Sequence, residues 1–186
     1  MILYFLIAFF KVFQNQNDIP ITQGQTTGNQ QIEITQNPET VKKEFPYNIS
    51  LQNTEGDVIN TSKLFKKNRK ATVLLFWMTT CGPCRSELTA ISGKFNTWKK
   101  STDFDFYAIS MDFPNRFEQF KTRVKESQWP FPAYFDFNRE FCTVMPGELN
   151  GLPQLFVFDK EGKIIYTTRR YQAGDEDKLF EVLKKV

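Results

Sequence analysis

Two cysteines separated by two residues are the strongest chemical signal in the sequence. They form the segment Cys81-Gly82-Pro83-Cys84, which follows a continuous apolar run over residues 71–77. A run of that length that is apolar at every position is typical of a strand buried on both faces. The residues after the pair carry apolar side chains at helical spacing. The pair is therefore predicted at the junction of a central strand and a helix.

This position favours thiol redox chemistry. Unpaired backbone N–H groups and the macrodipole at a helix N-terminus stabilise negative charge, which predicts Cys81 as the thiolate nucleophile. Pro83 falls in the first helical turn, where a missing N–H is tolerated. The two-residue spacing lets Cys84 reach Cys81 across one turn, which predicts Cys84 as the resolving thiol. Half of a zinc site is the competing interpretation, but zinc needs four ligands and the sequence lacks both a second Cys pair and histidine.

The composition excludes most other chemistry. The chain has 186 residues with 24 Lys and Arg, 21 Asp and Glu, a formal net charge of +3 and no histidine. Without histidine, Ser-His-Asp and Cys-His catalysis and His-ligated metals are excluded, and no metal is expected. The basic residues are scattered, so no nucleic-acid partner is expected. There is no flavin or nicotinamide signature, so no cofactor is expected either.

The first 44 residues are predicted to lie outside the folded domain. Residues 2–10 form an apolar run that is too short to span a bilayer but fits the core of a secretory signal. We assign residues 1–13 to a signal peptide or anchor, although no Lys or Arg precedes the run and no small-x-small cleavage site follows it. Residues 14–44 are rich in Gln, Asn and Thr without periodicity, which predicts a flexible linker. The domain then covers residues 45–186.

Strand and helix signals alternate through this domain. Their order predicts an α/β domain with a central mixed β-sheet, helices on both faces and a strand pair ahead of the core. Strands are predicted at residues 47–51, 58–59, 71–77, 104–111, 133–135, 154–159 and 163–167, and helices after residue 83 to about 100, at 115–127 and at 175–186.

The active-site segment resembles a known family. Trp77, the Cys pair, and the Arg85 and Glu87 that follow it are similar to the thioredoxin fold, and specifically to the TlpA/ResA-like branch of thiol-disulfide oxidoreductases. The resemblance covers residues 45–186. It implies a thioredoxin-like fold, a location outside the cytoplasm, and substrate binding by Trp77, Gly82, Pro83 and Leu152.

A glycine-leucine-proline segment strengthens this resemblance. Gly151-Leu152-Pro153 stands just before the strand predicted at residues 154–159. In the family, the corresponding proline is cis and packs against the active-site disulfide. The resemblance therefore implies that Pro153 is cis and belongs to the catalytic site, and that Leu152 offers backbone groups to an extended substrate segment.

Two positions depart from the family pattern. Thioredoxins carry a buried Asp six residues before the first Cys, where this chain has Leu75, and Thr80 stands where the family commonly has Trp. Glu87 matches a recurrent family acid and is a candidate proton acceptor through water. A solvent-facing Glu87 in the first helical turn is the favoured interpretation, however, because an acid there also suits the helix dipole. With Leu75 in place of the buried Asp and Glu87 facing solvent, no side chain accepts the proton of Cys84. We therefore expect slow resolution of the mixed disulfide near neutral pH.

A third cysteine, Cys142, stands apart from the pair. A buried structural thiol is the default interpretation, and a second redox partner for Cys81 is the alternative.

The resemblance implies a protein disulfide reductase. The Gly-Pro dipeptide between the cysteines is similar to that of reducing thioredoxins, whose potential is about −270 mV. The expected partners are disulfide-containing substrate proteins and a membrane oxidoreductase that donates electrons, with membrane contact only through an N-terminal anchor. The alternatives are a catalytically degenerate thioredoxin-fold binding module and a peroxiredoxin-like peroxide reductase. The intact Cys pair with Pro153 argues against the first, and the lack of a peroxiredoxin Thr and Pro arrangement argues against the second.

Overall fold

The computed structural model describes residue 45, residues 47–65 and residues 70–186 of the chain. The signal peptide or anchor predicted at residues 1–13 and the linker predicted at residues 14–44 lie outside this part. Among the described residues, no helix combines the length and the apolar character that crossing a bilayer requires.

Strands and helices follow one another in nearly the predicted order. The strands are β1 (Ser50–Gln52), β2 (Val58–Asn60), β3 (Ala71–Trp77), β4 (Phe104–Ser110), β5 (Ala133–Phe135), β6 (Gln154–Phe158) and β7 (Ile164–Arg169). The α-helices are α1 (Thr61–Leu64), α2 (Gly82–Ser101), α3 (Phe117–Ser127), α4 (Phe141–Val144) and α5 (Asp175–Leu183), with 3-10 turns at Pro114–Arg116 and Pro146–Leu149.

The seven strands of the described residues belong to one mixed sheet with the order β2-β1-β5-β4-β3-β6-β7. β3, β4 and β5 run parallel, whereas β6 pairs antiparallel with β3 and β7 antiparallel with β6. β1 pairs antiparallel with both β2 and β5, so the predicted strand pair extends one edge of the sheet. The predicted α/β thioredoxin-like architecture is confirmed.

The central strand β3 is buried on both faces, as its continuous apolar sequence predicts. Val73, Leu75 and Trp77 point into a core that α2, α3 and α5 cover. Leu74 and Phe76 point into a second core on the opposite face, where α4 packs. Burial of both faces fixes the position of the strand's carboxyl end, from which the active-site loop departs.

The sequence-based boundaries are wrong at several points. The first strand begins at Ser50 rather than at residue 47, and Tyr47 has a positive φ of 39° that a strand does not accept. α3 begins at Phe117 because a 3-10 turn occupies Pro114–Arg116. The short helices α1 and α4 were not expected, since four residues are too few to show helical periodicity.

Candidate active site

The two paired cysteines occupy the predicted junction of β3 and α2. Cys81 is the N-cap residue of α2, and its Sγ accepts a hydrogen bond from the Cys84 backbone N–H at 3.2 Å. The two residues form a disulfide with a Cα–Cα distance of 5.3 Å. Cys81 is half-buried, whereas Cys84 is fully buried at 0% exposure. Of the two sulfurs, that of Cys81 is therefore the one accessible to a substrate protein.

A buried carboxylate holds the loop that leads to Cys81. Asp112 follows the end of β4 and accepts hydrogen bonds from the Thr79 N–H at 2.8 Å and the Thr79 hydroxyl at 2.9 Å. The Ser110 hydroxyl donates to the same carboxylate at 2.8 Å, and the Arg85 Nη1 donates to the Thr79 carbonyl at 2.9 Å. These bonds fix the backbone two residues before Cys81.

Sequence reasoning missed Asp112. The available signal was an acid placed just after a buried strand that neighbours β3. The carboxyl ends of parallel strands meet at one edge of a sheet, so such an acid reaches the active-site loop.

The predicted cis proline is present. The Leu152-Pro153 peptide bond is cis, and Pro153 is buried with its carbonyl accepting from the Arg170 N–H at 2.9 Å. Pro153 directly precedes β6, which pairs with β3, so it lies at the same end of the sheet as the cysteines. Leu152 and Cys81 line one cavity of about 390 Å³. The chain therefore brings the predicted substrate-contacting residue Leu152 next to the accessible sulfur.

The expectation that Glu87 faces solvent is wrong. Its side chain is 3% exposed, because the start of α5 packs across this part of α2 and is tied to it by ion pairs from Lys94 to Glu176 and Asp177. Burial, with the negative charges of Asp175 and Glu176 acting in the same direction, raises the pKa of Glu87 from its ordinary value of 4.5 to about 7. A carboxyl with such a pKa exchanges protons near neutrality.

Trp77 does not have the position that substrate binding requires. Its side chain is 0% exposed and packs edge-on against Trp129 at 5.1 Å and beside Phe120 at 6.2 Å, measured between ring centroids. The resemblance implies substrate binding by Trp77, but its side chain is enclosed in the core and is not exposed to a substrate protein. Gly82 and Leu152 are partly exposed, and Pro83 is exposed. Thr80 is also exposed, at the position where the family commonly has Trp.

Cys142 is less buried than the default interpretation expects, although it still packs against the second core. Cys142 is a free, half-exposed cysteine on α4, and its Sγ lies 4.0 Å from the Arg139 Nη2. It lines the same cavity as Cys81. The fold thus places all three cysteines of the sequence at one end of the sheet.

Comparison with known proteins gives the family. The model of the AhpC/TSA family matches residues 41–167. Thiol-disulfide oxidoreductase ResA of Bacillus thuringiensis subsp. konkukian (strain 97-27) is 30% identical over 149 residues, which cover 78% of this chain and 78% of that protein.

Solved structures agree with the fold. The solution structure of an uncharacterized thioredoxin-like protein from Porphyromonas gingivalis is similar with a TM-score of 0.63 and 29% identity, covering 74% of this chain and 88% of that one. The crystal structure of StoA from Bacillus subtilis has a TM-score of 0.57 and 20% identity, covers 73% of this chain and 96% of that one, and supports the fold alone. The chain therefore belongs to the AhpC/TSA family, with the thioredoxin-like fold and the paired cysteines of a thiol-disulfide oxidoreductase.

Proposed function

We propose that this protein reduces disulfide bonds of other proteins outside the cytoplasm. The observation that carries the proposal is the asymmetry of the cysteine pair: Cys81 is accessible at the start of α2, and Cys84 is fully buried one turn away. An accessible first sulfur attacks a substrate, and a protected second sulfur resolves the resulting mixed disulfide. Leu152 lines the same cavity as Cys81, and we propose that its backbone pairs with an extended substrate segment.

The first step uses the dithiol form. The Cys81 thiolate, stabilised by the α2 N-terminus, attacks one sulfur of the substrate disulfide. The substrate S–S bond breaks, a bond between Cys81 and that sulfur forms, and the other substrate sulfur leaves as a thiolate that takes a proton from water.

The second step regenerates the internal disulfide. Cys84 loses its proton, its sulfur attacks the Cys81 sulfur, and the second substrate thiolate leaves. Glu87 is the proton acceptor that we propose for this step. It lies three residues after Cys84 on α2, both side chains are buried, and residues at this spacing are neighbours on a helix surface. With a pKa of about 7, a substantial fraction of Glu87 is ionised at neutral pH and able to take the proton.

The two electrons given to the substrate must be restored from outside. We propose a membrane thiol oxidoreductase as donor, because the sequence carries no cofactor motif of its own. The apolar run at residues 2–10 supports export, with the domain released or held at the membrane surface.

Insulin reduction in the presence of dithiothreitol tests the activity. The wild type is expected to accelerate the reaction and Cys81→Ser to abolish the acceleration. With the reduced Cys84→Ser variant freed of dithiothreitol before substrate is added, a covalent complex with substrate is expected to accumulate. The double variant Cys84→Ser/Cys142→Ser keeps only Cys81 and must trap the same complex. No acceleration by the wild type contradicts the proposal.

Two further measurements separate the alternatives. Consumption of hydrogen peroxide by the reduced protein at a rate above that of insulin reduction identifies a peroxide reductase instead. Tight binding of partner proteins that survives Cys81→Ser identifies a non-catalytic binding module.

A further inference from the structure

The cavity next to Cys81 has a defined chemical character. Its volume is about 390 Å³, which is enough to admit a substrate side chain. Four apolar residues line its walls: Met78, Met111, Leu149 and Leu152. Because Cys81 and Leu152 line the same cavity, a substrate segment whose cysteine bonds to Cys81 places a neighbouring side chain over it. Methionine walls adapt to side chains of different shape.

Arg139 brings a fixed positive charge to this cavity. Its Nη1 donates to the Met111 carbonyl, its Nη2 lies 4.0 Å from the Cys142 Sγ, and its guanidinium carbon lies 4.6 Å from the centre of the Phe113 ring. Phe113 is itself 55% exposed, and its ring makes a cation–π contact with the guanidinium. A guanidinium has five N–H donors, so these contacts leave donors available to a substrate.

No carboxylate of the described residues lies within ion-pair distance of Arg139. In that part of the chain, Arg123 alone among the arginines forms an ion pair, with Glu126. Burial raises the pKa of Asp136 to about 6 and the nearby Arg139 charge acts against this rise, but the Asp136 oxygens accept from the Glu140 and Phe141 N–H groups and its side chain is fully buried. The charge of Arg139 is therefore available at the cavity.

Two further arginines and one exposed glutamate lie near the cavity. Arg169 lies along the loop of residues 147–151, with its Nη2 3.4 Å from the position that a Cβ would take at Gly147. Arg85 donates to the carbonyl of Thr79, two residues before Cys81. Glu148, an exposed residue that lines the same cavity, supplies a negative charge. Of the charged side chains that line the cavity itself, Arg139 is positive and Glu148 is negative, while Asp112 and Asp136 nearby are buried and accept hydrogen bonds from neighbouring groups.

We propose that Arg139 selects substrate segments that carry an acidic side chain next to the reactive cysteine. The apolar walls take the methylene groups of that side chain, and the guanidinium pairs with its carboxylate in the planar geometry that arginine favours. This inference rests on the proposed function and names the substrate class of the same site. Arg139 is a specificity-determining residue that contacts the substrate but not the reacting sulfurs.

The test compares three disulfide-linked homodimers of a short peptide with blocked termini. They are identical except for Glu, Gln or Lys beside the cysteine, and each flanking position is examined in turn. The measured quantity is the ratio of kcat/KM for the Glu peptide to that for the Gln peptide, so a general loss of activity does not affect it. We expect the wild type to favour Glu by about threefold to tenfold, the range of a partly buried charge pair, and to disfavour Lys.

The variants locate the effect. Arg139→Gln is expected to bring the ratio to about 1, Arg139→Lys to keep a weaker preference, and Arg139→Glu to favour the Lys peptide. Lys160→Gln removes a positive charge at the far end of β6 and serves as the matched control with an unchanged ratio. Raising the ionic strength must lower the wild-type ratio, and this measurement stands even where a variant fails to fold.

The outcomes are distinct. Equal reduction of the Glu and Gln peptides by the wild type, or a preference that survives Arg139→Gln, overturns the role of Arg139 while the reductase function stands. Failure to reduce any of the peptides overturns the proposed function and the inference together.

Discussion

Replacing Glu87 by Gln provides a direct test of how burial controls this site. The glutamine has nearly the same shape but no charge, so the change removes one titration and little packing. Burial raises the pKa of Glu87 from 4.5 to about 7, and each pH unit of difference between folded and unfolded states corresponds to about 1.36 kcal/mol. A difference of roughly two and a half units gives about 3 kcal/mol.

The sign follows from the number of bound protons. Between pH 4.5 and about 7 the folded protein keeps a proton on Glu87 that the unfolded chain has released. The free energy of unfolding therefore decreases as pH rises through this window, and the decrease is complete above it. Asp175 and Glu176 have lowered pKa values and act in the opposite direction at lower pH, but both proteins contain them, so their effects largely cancel in the comparison.

Urea unfolding of the disulfide form at several pH values from 4 to 8 measures the effect. We expect Glu87→Gln to gain about 3 kcal/mol relative to the wild type between pH 4 and pH 8. The matched control is Glu118→Gln, an exposed residue on α3 paired with Lys121, for which we expect a change of less than about 0.5 kcal/mol. A stability difference between Glu87→Gln and wild type that is the same at pH 4 and pH 8 refutes the reasoning.

The same variant tests the proposed proton transfer. When the reaction is run at pH 7 and stopped with acid, Glu87→Gln is expected to show more mixed disulfide than the wild type. In this variant Cys84 depends on solvent to remove its proton. If resolution is equally fast in the two proteins, Glu87 is not the acceptor.

Three further predictions concern the loop before Cys81, the nucleophile and the second core. Asp112→Ala should lower the free energy of unfolding, measured by urea denaturation, by about 3 kcal/mol, because three buried donors lose their acceptor. A loss below about 1 kcal/mol contradicts this prediction. In the reduced protein near pH 7, iodoacetamide should modify Cys81 faster than Cys84 or Cys142, and mass spectrometry measures the three rates. Equal rates would remove the basis for Cys81 as the nucleophile. Phe76→Ala should lower the free energy of unfolding by about 3–5 kcal/mol, since the ring is fully buried. A fall in Tm of less than a few degrees contradicts this prediction.

Local patterns in the sequence determined the centre of this protein. The apolar run of β3, the helical spacing after Pro83 and the position of the Cys pair between them are all features of neighbouring residues. Periodicity reports such features directly, so the strand, the helix and the Cys pair were predicted together. The cis bond at Pro153 was predicted from a short segment that resembles a known family.

Only the tertiary structure decided the surroundings of the cysteines. Glu87 is buried because α5, almost ninety residues later in the chain, packs across it. Asp112 reaches Thr79 because β4 lies beside β3 in the sheet, and Arg139 reaches the cavity at Cys81 through the turn that follows β5. Burial and charge at a site depend on contacts between residues far apart in sequence, and those contacts follow from strand order and helix packing, which periodicity does not encode.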